Sequence, residues 1–195
     1  MTRIALLTAG FGLLLACSGE GDPYGPDNAW FHATDKQVPE SYMDGTVSTG
    51  TAVGDVMPNF TLTDQNGDDV ELYQFYGKVV QLVLMAQWCG PCQQEAPLIE
   101  STSVALAESD VVILEVMLQA TDGPATVEAA NQWVDEYGVT HPLLIDADES
   151  LASMLQGGFP TLPMLDRELR VVEVDNFPFD GQVLEDLAAS TAPDE

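Results

Sequence analysis

"LMAQWCGPCQQEAP", residues 84–97, decides how this chain is read. Cys89 and Cys92 stand two residues apart, with Trp88 before them, Gly90 and Pro91 between them and Pro97 beyond. The run before them, "KVVQLVLMA" at 78–86, is almost continuously apolar and of strand length, as expected of a central strand covered on both faces. From Pro91 a helix is expected to about Ser109, so the cysteines fall at a strand-to-helix junction. A thiol at the helix mouth meets unpaired backbone N–H groups and the positive end of the macrodipole, which favour a thiolate. The second thiol, one turn in, is shielded. The spacing therefore suits a dithiol–disulfide couple in which Cys89 attacks and Cys92 resolves. Lowering a thiol pKa from ~8.5 to ~7 takes about 2 kcal/mol of preference for the anion.

The pair has other readings. As half of a zinc site it would have to recruit His32 and His141, which are distant and carry no paired spacing. As a structural staple it would close a very small loop, where the entropic gain is least. No metal site is therefore expected, and no cofactor beyond the cysteine pair itself. Glu95, three residues after Cys92, shares its helix face. An ionised carboxylate ~7 Å from a thiolate at an effective dielectric of ~20 opposes it by roughly 2 kcal/mol, as much as the helix supplies. Either Glu95 points to solvent, or it is partly buried and passes protons to the cysteines. Pro97 lies inside the helix, removes one N–H and is expected to kink the axis.

The 195 residues carry 5 Lys and Arg against 32 Asp and Glu, a formal charge of −27. Such a field repels nucleic acid and anionic lipid, so neither is an expected partner surface. Screening over ~8 Å keeps this general charge from cancelling the local effect at the cysteines. "MTRIALLTAGFGLLLAC", 1–17, has a basic start at Arg3, an apolar stretch from Ile4 to Leu15 and a small Ala16 before Cys17. That is an export signal, since the stretch is too short to cross ~30 Å of hydrocarbon. "LLAC" resembles a bacterial lipobox, which implies acylation of Cys17 after cleavage and an envelope location facing the periplasm; Ser18 suits sorting to an outer membrane. Residues 17–50, rich in Gly, Pro, Asp and Ser, read as an acidic tether, with a short ordered patch expected at Trp30 and Phe31. His32 lies in it.

The expected domain spans residues 51–195. "PNFTLTD" and "QNGDDVEL" alternate around Asn66-Gly67, a hairpin signal. "VVILEVML", 111–118, reads as a second buried strand, and residues 124–137 as a helix with Pro124 in its first turn. Val127, Ala130, Val134 and Tyr137 form its core stripe. A strand at 143–145, a helix at 149–156, the loop "GGFPT", strands at "LPML" and "LRVVEV", and a helix at 181–189 follow. Strands alternating with helices argue for α/β layering with helices on both sheet faces.

Trp88 to Cys92 with Pro97 resembles thioredoxin. With "GDVMPNFTLTD" and "GKVV" added, the chain is more similar to the TlpA/ResA-like envelope thiol-disulfide oxidoreductases of the AhpC/TSA-redoxin superfamily, over most of residues 54–175. The resemblance implies a thioredoxin-like fold with a central mixed sheet and an N-terminal β-hairpin extension. It also implies reduction of protein disulfides in the envelope, as in cytochrome c maturation or redox repair, and an upstream membrane thiol reductant. A glutamate at the position of Glu95 belongs to these families, which favours the proton-handling reading. "GFPT", 158–161, matches the family's cis-proline loop, making Pro160 the cis-proline, with Phe159 turned toward the cysteines and Thr161 beside it. Departures are Val83 in place of thioredoxin's buried acid, Met85 in place of an aromatic residue, and Pro163 where a strand residue is expected. A thiol peroxidase is the alternative enzyme, but Ala86 replaces the threonine that would hold peroxide. A copper-binding thioredoxin-like protein using both cysteines and His141 is another, and a non-enzymatic scaffold lipoprotein a third.

Overall fold

The fold, in a computed structural model that describes residues 28–30 and 38–190, is organised by β3 (Val79–Ala86), whose eight residues are all buried. Successive side chains leave a strand on opposite faces. Val80, Leu82 and Leu84 accordingly enter one core, while Val79, Val83 and Met85 enter the clusters on the other side. Burying one such side chain is worth about 1.5–3 kcal/mol, so a strand buried on both faces anchors the sheet.

β3 pairs in parallel with β4 (Val111–Ala120), and β4 in parallel with β6 (Leu143–Ile145). Parallel neighbours need crossovers, supplied by α2 (Gly90–Leu106) and α3 (Val127–Tyr137). Both crossovers step the same way across the sheet, so right-handed connection puts α2 and α3 on one face. α5 (Gly181–Ser190) packs Leu184 and Ala188 against Ile99 and Leu106 of α2 on that face. Tyr42 of α1 (Glu40–Met43) and Leu151 of α4 (Ser150–Leu155) cover the other.

The sheet is completed by antiparallel strands at its edges. β1 (Thr61–Asp64) and β2 (Asp69–Glu71) form the expected hairpin, β1 pairing also with β6. Asp64 builds the turn: its Oδ1 accepts the N–H groups of Asn66 and Asp68, and Gly67 takes φ 90°, which a side chain would resist. β7 (Met164–Leu165) pairs with β3, β8 (Val171–Glu173) with β7, and the short β5 (Gly123–Pro124) with the end of β4. The order is β2-β1-β6-β4-β3-β7-β8, a mixed sheet with helices on both faces.

Three expectations change. Pro124 lies in β5, and α3 begins three residues later because Thr126 caps it, its side chain accepting the N–H of Ala129. The buried face of α3 is Ala129, Ala130 and Trp133, whereas Val127 is exposed. Residues 38–50, read as tether from composition, pack on the domain: Val38 and Tyr42 are buried, and Tyr42 Oη donates to the Glu168 carbonyl at 3.1 Å. Further out, Trp30 rests on the same core with its Nε1 donating to the Asp64 carboxylate. The signal segment 1–16, Cys17, Phe31 and His32 lie outside the described residues.

Pro163, which cannot donate to a sheet, is accommodated by a side chain. The Leu82 N–H donates to the Pro163 carbonyl at 2.9 Å, but the reciprocal donor is missing. Gln81, fully buried, supplies it: its Nε2 donates to the Leu82 carbonyl at 2.8 Å and to the Pro163 carbonyl at 3.0 Å.

Candidate active site

Cys89 follows the end of β3 and is the N-cap of α2, with its N–H donating to the Ala86 carbonyl at 3.0 Å. Gly90 and Pro91 fill the first helical positions, where a proline's missing N–H costs nothing. Cys89 Sγ accepts the N–H of Cys92 at 3.2 Å. A backbone donor at the positive end of a 17-residue helix thus points at this sulfur, the arrangement that stabilises a thiolate. Cys89 and Cys92 are joined as a disulfide with their Cα atoms 5.3 Å apart.

Both cysteines are only 3% exposed. In this oxidised form Cys89 is covered, and part of the cover comes from outside its own segment. Phe159 packs on the cluster that holds both cysteines, and Trp88 meets Phe159 edge-on, ring centroids 5.8 Å apart at 81°. Trp88 remains 52% exposed. The peptide between Phe159 and Pro160 is cis. Thr161 holds this loop against β3 by exchanging backbone hydrogen bonds with Leu84 at 3.1 and 2.9 Å, and its Oγ1 donates to the Gly158 carbonyl at 2.8 Å. Gly157 is required there, because a Cβ would lie 2.1 Å from Thr161 Oγ1.

Glu95 does not point to solvent. It is half-buried, its Oε1 accepts the N–H of Phe179 at 3.0 Å, and its Oε2 is buried without a hydrogen-bond partner among the described residues. Phe179 follows a second cis peptide, Phe177–Pro178, which the sequence reading did not identify. Asn176 pins this loop, its N–H donating to the Leu162 carbonyl at 2.8 Å and its Nδ2 to Gln81 Oε1 at 3.3 Å. The carboxylate one turn beyond Cys92 thus has one anchored oxygen and one unmet oxygen. Pro97 sits on the exposed side of α2, which continues through it to Leu106.

Val83 is buried among apolar side chains, but its register partner on β4 is Glu115, itself 1% exposed. Glu115 Oε2 lies 3.3 Å from both Trp133 Nε1 and His141 Nε2. The other ring nitrogen of His141, Nδ1, is 3.0 Å from Glu100 Oε2 on α2. Both ring nitrogens thus face carboxylates rather than the cysteine sulfurs. Burial works against charge on this ring, yet Glu100 and Glu115 outweigh it and raise its pKa from 6.5 to about 9. Glu100, hydrogen-bonded by His141 and despite partial burial, is lowered from 4.5 to about 2, with Thr140 adding two donors. Among the described residues no group of three or more His, Cys, Asp and Glu side chains could hold a metal ion. Position 86 is a buried alanine at the end of β3 and offers no hydroxyl to a peroxide.

Sequence reasoning missed a set of glutamines around Trp88. Trp88 Nε1 donates to Gln119 Oε1 at 3.1 Å, and Gln119 Nε2 donates to Glu149 Oε1 at 2.7 Å. Gln87 Oε1 accepts from the N–H and hydroxyl of Thr121 at 3.0 and 3.1 Å, and Gln93 Nε2 donates to the Gln87 carbonyl at 2.8 Å. These partners are 31 and 30 residues apart along the first path and 34 along the second, so no local pattern announces them.

Residues 53–174 match the profile of the AhpC/TSA family. The thiol-disulfide oxidoreductase ResA of Bacillus thuringiensis (strain Al Hakam) is 32% identical over 122 residues, covering 62% of this chain and 68% of that protein. ResA of Geobacillus kaustophilus (strain HTA426) is 31% identical over 130 residues, 66% and 72% of the two chains. The solved structure of a secreted Mycobacterium tuberculosis disulfide oxidoreductase homologous to E. coli DsbE superposes with a TM-score of 0.56 at 22% identity, covering 67% of this chain and 95% of that one, and shares the fold.

Proposed function

The chain belongs to the AhpC/TSA family and is a thiol-disulfide oxidoreductase; from that premise we propose that it reduces protein disulfides in the cell envelope through Cys89 and Cys92. The observation that carries this reading is Cys89 at the N-cap of α2, accepting the Cys92 N–H and within disulfide reach of Cys92.

The reduced enzyme begins with Cys89 as a thiolate. It attacks one sulfur of a client disulfide, forming a mixed disulfide and expelling the other client sulfur as a thiolate. Cys92, deprotonated as Glu95 takes its proton, then attacks Cys89 Sγ. That releases the second client thiolate and closes the Cys89–Cys92 disulfide. Two electrons have moved from enzyme to client, and the expelled thiolates take up protons, one returned by Glu95 and the rest from solvent. An upstream membrane dithiol restores the reduced pair, so no further cofactor is called for. The backbone of Phe159, before the cis peptide to Pro160, is where an extended client segment pairs beside the cysteines.

The leader supports an exported protein tethered through lipid on Cys17, with the catalytic domain facing the periplasm or its equivalent. Among the described residues no helix is long and apolar enough to cross a membrane. Cytochrome c maturation and repair of oxidised envelope proteins are the two roles that fit a reductant placed there.

Trapping tests the reading. With Cys92→Ala the mixed disulfide cannot be resolved, so a client should stay covalently joined through Cys89 and be released by dithiothreitol. With Cys89→Ser no adduct should form. Equal trapping by both variants contradicts the assignment.

A further inference from the structure

Cys89 is almost fully covered in the oxidised protein although Trp88 beside it is half-exposed. The indole of Trp88 is therefore fixed by something other than burial. Its fixing runs through three separate elements. Trp88, in the turn after β3, donates its indole N–H to Gln119 near the end of β4. Gln119 spends its amide donor on Glu149, the N-cap of α4, at 2.7 Å, the short distance of a charge-assisted bond. Glu149 is itself set by the chain: it takes φ 52°, and its N–H donates to the Asp146 carbonyl at 3.0 Å. On its other side Trp88 is buttressed by the Phe159 ring, edge to face.

The order of donors and acceptors allows only one arrangement. An indole has a donor and no acceptor, and a carboxylate has acceptors and no donor. A side chain that carries both, as the Gln119 amide does, can join them. Gln119 therefore reads as a coupling between the α4 cap and the aromatic wall, and a leucine of similar size would pack there without making either bond.

We propose that Gln119 and Glu149 are positioning residues that hold Trp88 against Phe159 as a fixed wall beside Cys89, and that this wall selects extended polypeptide disulfides over small ones. The inference rests on the oxidoreductase reading above and adds the part that sets client preference. A polypeptide must lie along the wall to bring its disulfide onto Cys89, so it gains from a wall already in place. A small disulfide touches only the sulfur and gains nothing. Loss of the relay therefore weakens capture of polypeptide without altering the sulfur chemistry.

The test uses pre-reduced protein freed of reductant, mixed in single turnover with insulin or with 2-hydroxyethyl disulfide, a small neutral disulfide. Gln119→Leu should raise the half-saturating insulin concentration about three- to tenfold, as expected for losing one or two hydrogen bonds at the wall. The limiting rate with insulin and the rate with the small disulfide should stay as in wild type. Gln119→Glu alone sets two carboxylates against each other and should do the same or worse. Adding Glu149→Gln restores the donor–acceptor order in reverse, so the double variant should return to within about twofold of wild type. The indole N–H resonance of Trp88, assigned with Trp88→Phe, should shift in Gln119→Leu and return in the double variant. An unchanged resonance and unchanged insulin saturation in Gln119→Leu, equal slowing with both disulfides, or no recovery in the double variant overturns the proposal. A wild-type protein inert toward both disulfides instead overturns the oxidoreductase reading, and the Trp88 resonance still tests the relay by itself.

Discussion

The His141 ring and the Glu115 carboxylate meet inside the protein: Nε2 lies 3.3 Å from Oε2, an ion-pair distance without the alignment of a hydrogen bond, with side chains 3% and 1% exposed. Glu100 closes the other side of the ring and ties it to the helix that begins at the cysteines. A folded-state pKa of about 9 against 6.5 means that the imidazolium stabilises the fold fully below pH 6.5 and that this stabilisation is lost as pH rises through 9. Glu100, lowered from 4.5 to about 2, stabilises the fold above pH 4.5 and loses that contribution as pH falls through 2.

His141→Gln should therefore destabilise the oxidised protein by about 3–5 kcal/mol at pH 6, since it leaves a buried carboxylate uncompensated. The penalty should shrink toward pH 10, where the wild-type ring has also lost its charge. Urea unfolding at pH 6 and pH 10 measures both; a penalty that grows with pH contradicts the imidazolium.

Gln81 and Pro163 make a paired prediction. Gln81→Leu removes the donor that serves the Leu82 carbonyl and should cost about 1–3 kcal/mol in urea unfolding. Pro163→Val in that background returns a backbone N–H opposite Leu82 and should recover part of the loss. In the wild-type background the same change should recover nothing, because Gln81 already fills the site.

Glu95 separates into two functions. Glu95→Gln keeps an oxygen for the Phe179 N–H but cannot take a proton, so the fold should be unaffected while insulin reduction slows about tenfold or more. Glu95→Leu should lose the loop anchor as well and fall in urea midpoint. Unchanged reduction kinetics in Glu95→Gln across pH 5–9 rules out proton handling by this side chain.

The parts of this molecule that were legible in the chain are those whose cause is local. The apolar run of β3, the junction at Cys89 and the Asn66-Gly67 hairpin each follow from a few adjacent residues. The start of α3 was misplaced because Pro124 is acceptable both in a first helical turn and at a sheet edge, and pairing with β4 decided between them. His141 gave no sign of burial: its partners are 41 residues away at Glu100 and 26 at Glu115, and each alone reads as a surface acid. The hold on Trp88 was invisible for the same reason, since Phe159 and Gln119 reach it only through the folded chain. Val83 stands where thioredoxin has a buried acid, and the buried carboxylate of Glu115 one strand over can be found only by register.

The most direct measurement is the pH dependence of iodoacetamide alkylation of the reduced protein, with the modified cysteine located by mass spectrometry. A single fast reaction at Cys89, with a midpoint well below the ~8.5 of an ordinary thiol and Cys92 protected, is the expected result. First modification at Cys92, or a Cys89 midpoint at or above ~8.5, would contradict a thiolate poised at the mouth of α2.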